Sequence, residues 1–309
     1  ATATSFSGWT FVGHPGKIFT DGLPYAFASF YALTIPFTGV LFLRRQWVLG
    51  RAYRYITPGE MYSDYYGGNS IRMLTVLVAF LFSVPYLGVQ LRASGDLFSV
   101  LTDGLVNPNT GMIALSTVVM IYVASGGLRS VAFVDCAQAV LLALGIAILG
   151  GIVIYYAGGW GGFTASFAEV VRNDLALDNN LTSDGFSSKV ALPGSIQFVS
   201  SGAQSIGGGW TGIMCMTYMF ALMGIQSSPA FSMWAYSNKT SRAFRWQQVV
   251  ASSLVIGVIL FSFTIIQGIG GHVLIEKGVI ENATDKNLIP QLINCLLYTS
   301  DAADELRSV

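Results

Sequence analysis

Charge is what this sequence has least of. Of 309 residues only 10% are Asp, Glu, Lys or Arg, and 16 basic residues balance 16 acidic ones. A soluble globular domain carries about 25% charged residues. The composition therefore excludes an ordinary soluble domain, and the lack of a basic excess removes nucleic acid as a partner. Histidine is almost missing, with two in the chain. The three cysteines, Cys136, Cys215 and Cys295, are scattered and give neither a disulfide framework nor a metal-ligand spacing. No Ser/His/Asp set stands out, and the Gly207–Gly209 run lacks the Lys-Ser/Thr of a phosphate-binding loop. No enzyme and no organic cofactor are expected.

What is abundant is apolar. Hydrophobic residues make up 53% of the chain, and the mean hydropathy is +0.59. A membrane-spanning helix needs about 20 mostly apolar residues. The runs predict seven spans. They are a partial one over Ala1 to Val12, then Leu23 to Leu43, Met73 to Leu91, Met112 to Ala124, Ala132 to Tyr156, Gly212 to Trp234 and Val249 to Val273. An all-α polytopic membrane protein follows, with the lipid bilayer as its surroundings. A polar stretch rich in Gly, Ser and Asn, Gly158 to Gly209, is expected to be a loop without a soluble domain.

Positive charge sets orientation, because cytoplasmic loops carry the excess of Lys and Arg. Basic residues gather in the Arg44–Arg72 loop, at Arg129 and in the Lys239–Arg245 loop, and acidic segments alternate with them. These three basic segments are expected to be cytoplasmic, and the Asn287 region outside. Trp47, Tyr53, Tyr55, Tyr62, Tyr65 and Tyr66 read as interfacial anchors.

Two features stand against the apolar background. The first is Asp135, at the start of a run in which Gln138 and two tyrosines are the only polar side chains as far as Tyr156. An ionisable group at membrane depth is costly and by default functional. The alternative is a helix cap paired with Arg129. The second is a pair of interrupted spans. One reads "SFSGWTFVGHPG", with Ser5, Ser7, Gly8, Thr10 and Gly13 before Pro15; the other reads "MGIQSSPAFSMW", with Gln226, Ser227 and Ser228 before Pro229. Gly and Pro free backbone groups, which in lipid must line a cavity or be buried in protein. Paired broken helices point to a transporter built from inverted repeats; ordinary kinks at small-residue packing faces are the alternative. Candidate cavity residues are Ser5, Trp9 and Thr10 on the first helix and Gln226, Ser227 and Ser228 on the sixth. Tyr86 and Gln90 join them, four apart on one helical face. Taken singly each also reads as interhelical glue, and Ser5 as back-bonded to its helix. Arg92 and Asp96 read as a surface ion pair, and His14 and His272 are assigned no role.

Several motifs resemble the sodium:solute symporter family, which includes the sodium/proline, sodium/glucose, pantothenate and iodide carriers. "ASGGLRSVAFVDCAQAVLL" is similar to the family signature through Gly126-Gly127-Leu128, Ser130, Asp135 and Gln138. "YITPGEMYSDYYG" (Tyr55 to Gly67) resembles its cytoplasmic loop, a Thr-Pro followed by a short helix. "SVPYLGVQLRASG" and "SSPAFSMWAYSNKTSRAFRWQQ" resemble its next span and its sixth core helix. The resemblance covers nearly all of Ala1 to Asn294.

It implies an inverted five-helix-repeat, leucine-transporter-like fold, truncated here to about seven transmembrane helices. Residues 1–156 would be the first repeat, 157–209 an outer loop, and 210–294 the first two spans of the second repeat with the following loop. It implies Na+-coupled symport of a small organic solute (an amino acid, sugar or carboxylate) by alternating access, in a membrane that is expected to be the bacterial inner membrane. The family's Na+ ligands would fall on the carbonyls of Ala3 and Phe6, and Asp135 would stand on the cation pathway at the cytoplasmic side. Ser5 stands where the proline carriers have an Asp. The chain is expected to be a piece of a longer one that lacks the eighth core helix, and so not to transport alone. The stretch "CLLYTSDAADE" from Cys295 resembles an in-frame sequencing adapter, so 295–309 are expected to be an artefact rather than a natural polar tail. The other functional reading is a transporter-like sensor fused to a histidine kinase.

Overall fold

A computed structural model describes residues 8–102, 104–177, 181, 186–187, 189–190, 210–244 and 249–297. Among the described residues the protein is helical throughout, apart from one isolated bridge between Leu181 and Ser187. Ala3, Ser5 and Phe6, and residues 298–309, lie outside the described residues.

The chain opens with a π-helical turn, Trp9–Gly13, that runs straight into α1, His14–Asp21. Pro15 does not break this helix, because it sits in the first turn, where its missing N–H costs nothing. The break comes at Gly22, whose φ of 73° and ψ of −164° are open to glycine. Then follow α2, Leu23–Ala28, and α3, Tyr31–Tyr53. The second span thus extends well past Leu43 and carries Arg44, Arg45 and Arg51 on helix rather than loop. After Arg54 in the left-handed region comes α4, Pro58–Tyr66, the short helix foreshadowed by the Thr-Pro motif. Its start is a capping box: Thr57 Oγ1 accepts from the Glu60 N–H at 3.3 Å, and the Glu60 carboxylate accepts from the Thr57 N–H at 3.3 Å.

Helix α5, Asn69–Leu101, exceeds its expected bounds at both ends. The next two spans, α6 (Pro108–Gly127) and α7 (Arg129–Tyr156), meet at a kink where Gly127 takes φ 59°, ψ −166°. What was read as a polar loop then begins with an amphipathic helix, α8 (Gly159–Ala176), burying Phe163, Val170 and Asp174 along one stripe. Beyond the gap, α9 (Gly212–Met223) passes through a tight turn, Gly224–Ser227, and an extended Ser228 into α10, Pro229–Ser237. A second π-helical segment, Val249–Gly257, leads into α11, Val258–Glu276. Helix α12, Leu288–Leu297, ends the described chain and includes Cys295.

Among the described residues four helices, counting Val249–Glu276 as one, are long and apolar enough to cross a membrane: those of α5, α6, α7 and α11. The sixth expected span is divided by the Gly224–Ser227 turn and the extended Ser228, the second is interrupted at Ser29 and Phe30, and residues 1–7 of the first lie outside the described residues.

The chain forms two compact units. One takes in the described residues of 30–89 and 217–258, where α3 packs on α10, on the Gly224–Ser227 turn and on Val249–Gly257. The other takes in the described residues of 8–29, 90–216 and 259–297, with a core that includes Ile18, Tyr25, Ile146, Val153, Phe163, Leu274 and Leu288. Within it α11 and α1 approach closely through glycine: a Cβ on Gly268 would stand 2.7 Å from Ile18 Cβ and 2.7 Å from the Pro15 carbonyl oxygen. Gly268→Val is therefore expected to destabilise the protein by about 1–3 kcal/mol through overpacking. Apparent melting in detergent checks this, with Gly151→Val of α7, where an added Cβ meets nothing within 4 Å, as the reference for a helical glycine in free space.

Candidate functional site

The interruption of the sixth span is the strongest local feature. Its 3₁₀ turn ends at Ser227; Ser228 is extended (φ −63°, ψ 148°), and Pro229 starts α10. Proline disfavours the helical region for the residue before it, which is why the break falls at Ser228. The Ser228 carbonyl still accepts from the Ser232 N–H at 2.9 Å, but its hydroxyl is buried and has no hydrogen-bond partner among the described residues. A buried orphan hydroxyl is costly and calls for a water, ion or solute. The Gln226 side chain lies outside the described residues.

Tyr86 stacks on Phe82 at 5.7 Å between ring centroids and meets Phe231 of α10 edge-on at 6.0 Å. This brings the tyrosine of the third span to the helix that starts at the break. Gln90 finds the partner that its depth requires. Its Oε1 accepts from the Gly8 N–H at 2.6 Å, at the entrance to the π-helical turn. A Cβ on Gly8 would stand 3.0 Å from that Oε1. The Gln90 Nε2 donor is buried without a partner among the described residues. Next to Gly8, the Trp9 ring lies over Gly13, where a Cβ would come within 2.3 Å of it. Thr10 belongs to the same turn. π-helical turns recur at functional sites.

Asp135 is half-buried on α7. It lies six residues past Arg129, beyond the first turn in which a cap or helix dipole acts. Arg129 is exposed, and among the described residues no ion pair joins the two. Gln138 is exposed one turn on. The surface pair read between Arg92 and Asp96 is present at 3.0 Å.

Four polar residues with structural partners escaped the sequence reading. His14 is 5% exposed, and its Nδ1 lies 3.0 Å from Thr264 Oγ1. The Thr264 hydroxyl donates to the Leu260 carbonyl at 2.6 Å, so it accepts from His14, which fixes the proton on Nδ1. His272 stacks on Phe19 at 4.2 Å, and its Nε2 meets the Phe19 carbonyl at 2.6 Å. Gln267 is fully buried; its Nε2 donates to the Ile146 carbonyl at 2.8 Å, and its Oε1 has no partner. The contacts of His14 with Thr264, His272 with Phe19 and Gln267 with Ile146 each span at least 121 residues, so only tertiary structure reveals them. Trp47, expected as an interfacial anchor, also donates to the Asn238 carbonyl at 3.0 Å.

Taken together, discontinuous helices, π-helical turns, and orphan donors and acceptors among long apolar spans define an all-α polytopic membrane protein of transporter type. The family model of the sodium:solute symporter family matches residues 1–297. The chain belongs to that family. It is 20% identical over 259 residues to the uncharacterized symporter YhjB of Bacillus subtilis, covering 83% of this chain and 47% of that protein. It is 21% identical over 277 residues to the sodium/pantothenate symporter of Escherichia coli, covering 88% of this chain and 51% of that protein. A shorter match, 26% over 125 residues, relates it to sodium/glucose cotransporter 1 of Oryctolagus cuniculus, covering 40% of this chain and 19% of that protein. The chain thus spans about half the length of the relatives that it matches along most of its own.

Proposed function

We propose that the protein to which this chain belongs couples Na+ entry to uptake of a small organic solute by alternating access. The observation that carries this reading is the division of the sixth span at Gly224–Ser228, with a buried, unpartnered hydroxyl at the break. A helix unwound at membrane depth presents backbone groups and a hinge together. Ser228 Oγ, without a partner among the described residues, is a hydrogen-bonding group for a polar solute. The solute class is an amino acid, sugar or carboxylate. Relatives named for glucose and pantothenate support a small polar solute.

In this reading residues 1–156 form the first inverted repeat, 157–209 an outer segment, and 210–294 the start of the second repeat. The carbonyls of Ala3 and Phe6 contribute to the Na+ path, and Asp135 attracts the ion on its cytoplasmic side. The Arg44–Arg72, Arg129 and Lys239–Arg245 segments face the cytoplasm, and the membrane is a bacterial inner membrane. The sensor reading gains no support, since the relatives are named as symporters and cotransporters.

The test is uptake by the complete protein in proteoliposomes. A panel of radiolabelled amino acids, sugars and carboxylates is offered under an inward NaCl gradient or an equal choline chloride gradient. Accumulation of one solute that needs Na+ and collapses with a sodium ionophore is the expected result. Equal uptake in both salts, with every solute of the panel, sinks the proposal.

A further inference from the structure

The inner piece of the divided span, α10, has nine residues and no helical continuation at either end. Ser228 is extended before it, and Asn238 (φ −76°, ψ 138°) is extended after it. A helix this short is marginal alone and depends on packing. The last carbonyls of a helix also lack partners inside it. Here α3 supplies donors beside that end. Trp47 Nε1–H donates to the Asn238 carbonyl at 3.0 Å. Arg51 Nη2 donates to the same carbonyl at 3.0 Å and to the Lys239 carbonyl at 3.2 Å. The Arg51 guanidinium sits 5.7 Å from the centroid of the Trp47 ring, a cation–π distance that makes the two side chains one group. Its charge also suits the negative end of the α10 dipole. Asn238 Nδ2 donates back to the Trp234 carbonyl at 2.5 Å.

Packing completes the attachment. Leu43 and Ala235 are fully buried with Phe244, and Trp47 and Tyr236 close over them. Gly50 of α3 lets the Tyr236 ring come so near that an added Cβ would stand 2.7 Å from it. At the other end of α10, Phe231 packs edge-on against Phe82 and Tyr86, but among the described residues no side-chain donor of α3 reaches it. The Gly224–Ser227 turn also lies on α3, yet the Ser228 hydroxyl after it is unpartnered.

We propose that Trp47 and Arg51 are positioning residues for transport. They clamp α10 to α3 as one body and leave Gly224–Ser228 as the hinge through which the inner half of the sixth span turns. This rests on the transport reading above. The clamp is tested by distances between spin labels in the complete protein, with Cys136, Cys215 and Cys295 replaced by Ser. Serine keeps the donor that Cys215 offers to the Pro24 carbonyl. Labels at the exposed Val48 and Met233 report α3 against α10; labels at the exposed Phe220 and Met233 span the break.

The Val48/Met233 pair is expected to give one narrow distribution, the same in NaCl and in choline chloride. The Phe220/Met233 pair is expected to shift between the two salts. Trp47→3-benzothienylalanine keeps the bicyclic ring and removes only the N–H, and Arg51→Ala removes the charged donor. Both are expected to broaden the Val48/Met233 distribution, and Arg51→Lys to restore it. If Trp47 only packs, the benzothienylalanine variant leaves the distribution unchanged, and the clamp is overturned. A Val48/Met233 distance that follows Na+ also overturns it, and an immobile Phe220/Met233 pair overturns the hinge. Failure of Na+-driven uptake in the parent protein is a separate result: it removes the transport reading, while the Val48/Met233 widths judge the clamp without any uptake.

Discussion

Lys189→Met is expected to destabilise the protein by about 3–5 kcal/mol, the range for a buried ion pair that loses one partner. Lys189 Nζ lies 2.8 and 2.7 Å from the two carboxylate oxygens of Asp174, and the two side chains are 13% and 9% exposed. Ser187 Oγ donates to the same carboxylate at 3.0 Å and accepts from the Lys189 N–H at 3.3 Å. Removing the ammonium leaves a carboxylate with one hydroxyl donor and little water. The same residue also fixes the backbone. Its carbonyl accepts from the Leu23 N–H at 2.8 Å, and a Cβ on Gly22 would stand 2.5 Å from Lys189 Cα. The loop segment is thus laid directly on the kink between α1 and α2. Apparent melting in detergent should fall, by a shift on the order of ten degrees. The double variant Asp174→Asn with Lys189→Met removes both charges and is expected to recover most of the loss, because a neutral pair leaves no unpaired ion behind. A double variant as unstable as Lys189→Met alone would show that the aliphatic stem, not the charge, carries the effect. This prediction depends on nothing assumed about transport.

Sequence reasoning reached the parts of this molecule where composition speaks locally. The division of the sixth span was legible because Gly224 and Pro229 bracket it, and each has a fixed backbone consequence. The need of Gln90 for a partner was legible because an amide in an apolar run has to be satisfied; that the partner is the Gly8 N–H was not. For the first break, residues 1–7 lie outside the described residues; Pro15 falls in the first turn of α1, where Pro is harmless, and a further turn at Gly22, which the sequence reading did not single out, follows. The arginines after Leu43 read as loop because charge was taken for the end of the span, whereas α3 runs on to Tyr53 and uses Arg51 to hold α10. The stretch after Tyr156 read as loop because its Gly, Ser and Asn content masked the stripe of Phe163, Val170 and Asp174. Two isolated histidines carry no periodic signal at all. His14 gains meaning only from Thr264, 250 residues away.

Asp135→Asn is expected to raise the Na+ concentration for half-maximal uptake by about ten- to a hundredfold in the complete protein. The change removes one negative charge and keeps the shape. A carboxylate about 6–15 Å from a cation, at an effective dielectric of about 20, attracts it by about 1–3 kcal/mol, and about 1.4 kcal/mol is a factor of ten. The half-buried position on α7, outside its first turn and unpaired with Arg129, leaves the charge available to an ion rather than used up in a cap. Asp135→Glu, which retains the charge, should stay near the parent. Arg129→Met combined with Asp135→Asn should act additively, since the two groups share no contact. If Asp135 serves the helix instead, Asp135→Asn lowers the melting temperature while half-saturation by Na+ stays where it was, and the cation-path assignment is lost. The two roles separate because one depends on the ion in solution and the other does not. Uptake measured across a Na+ titration, beside a melting curve of the same preparation, distinguishes them in one experiment.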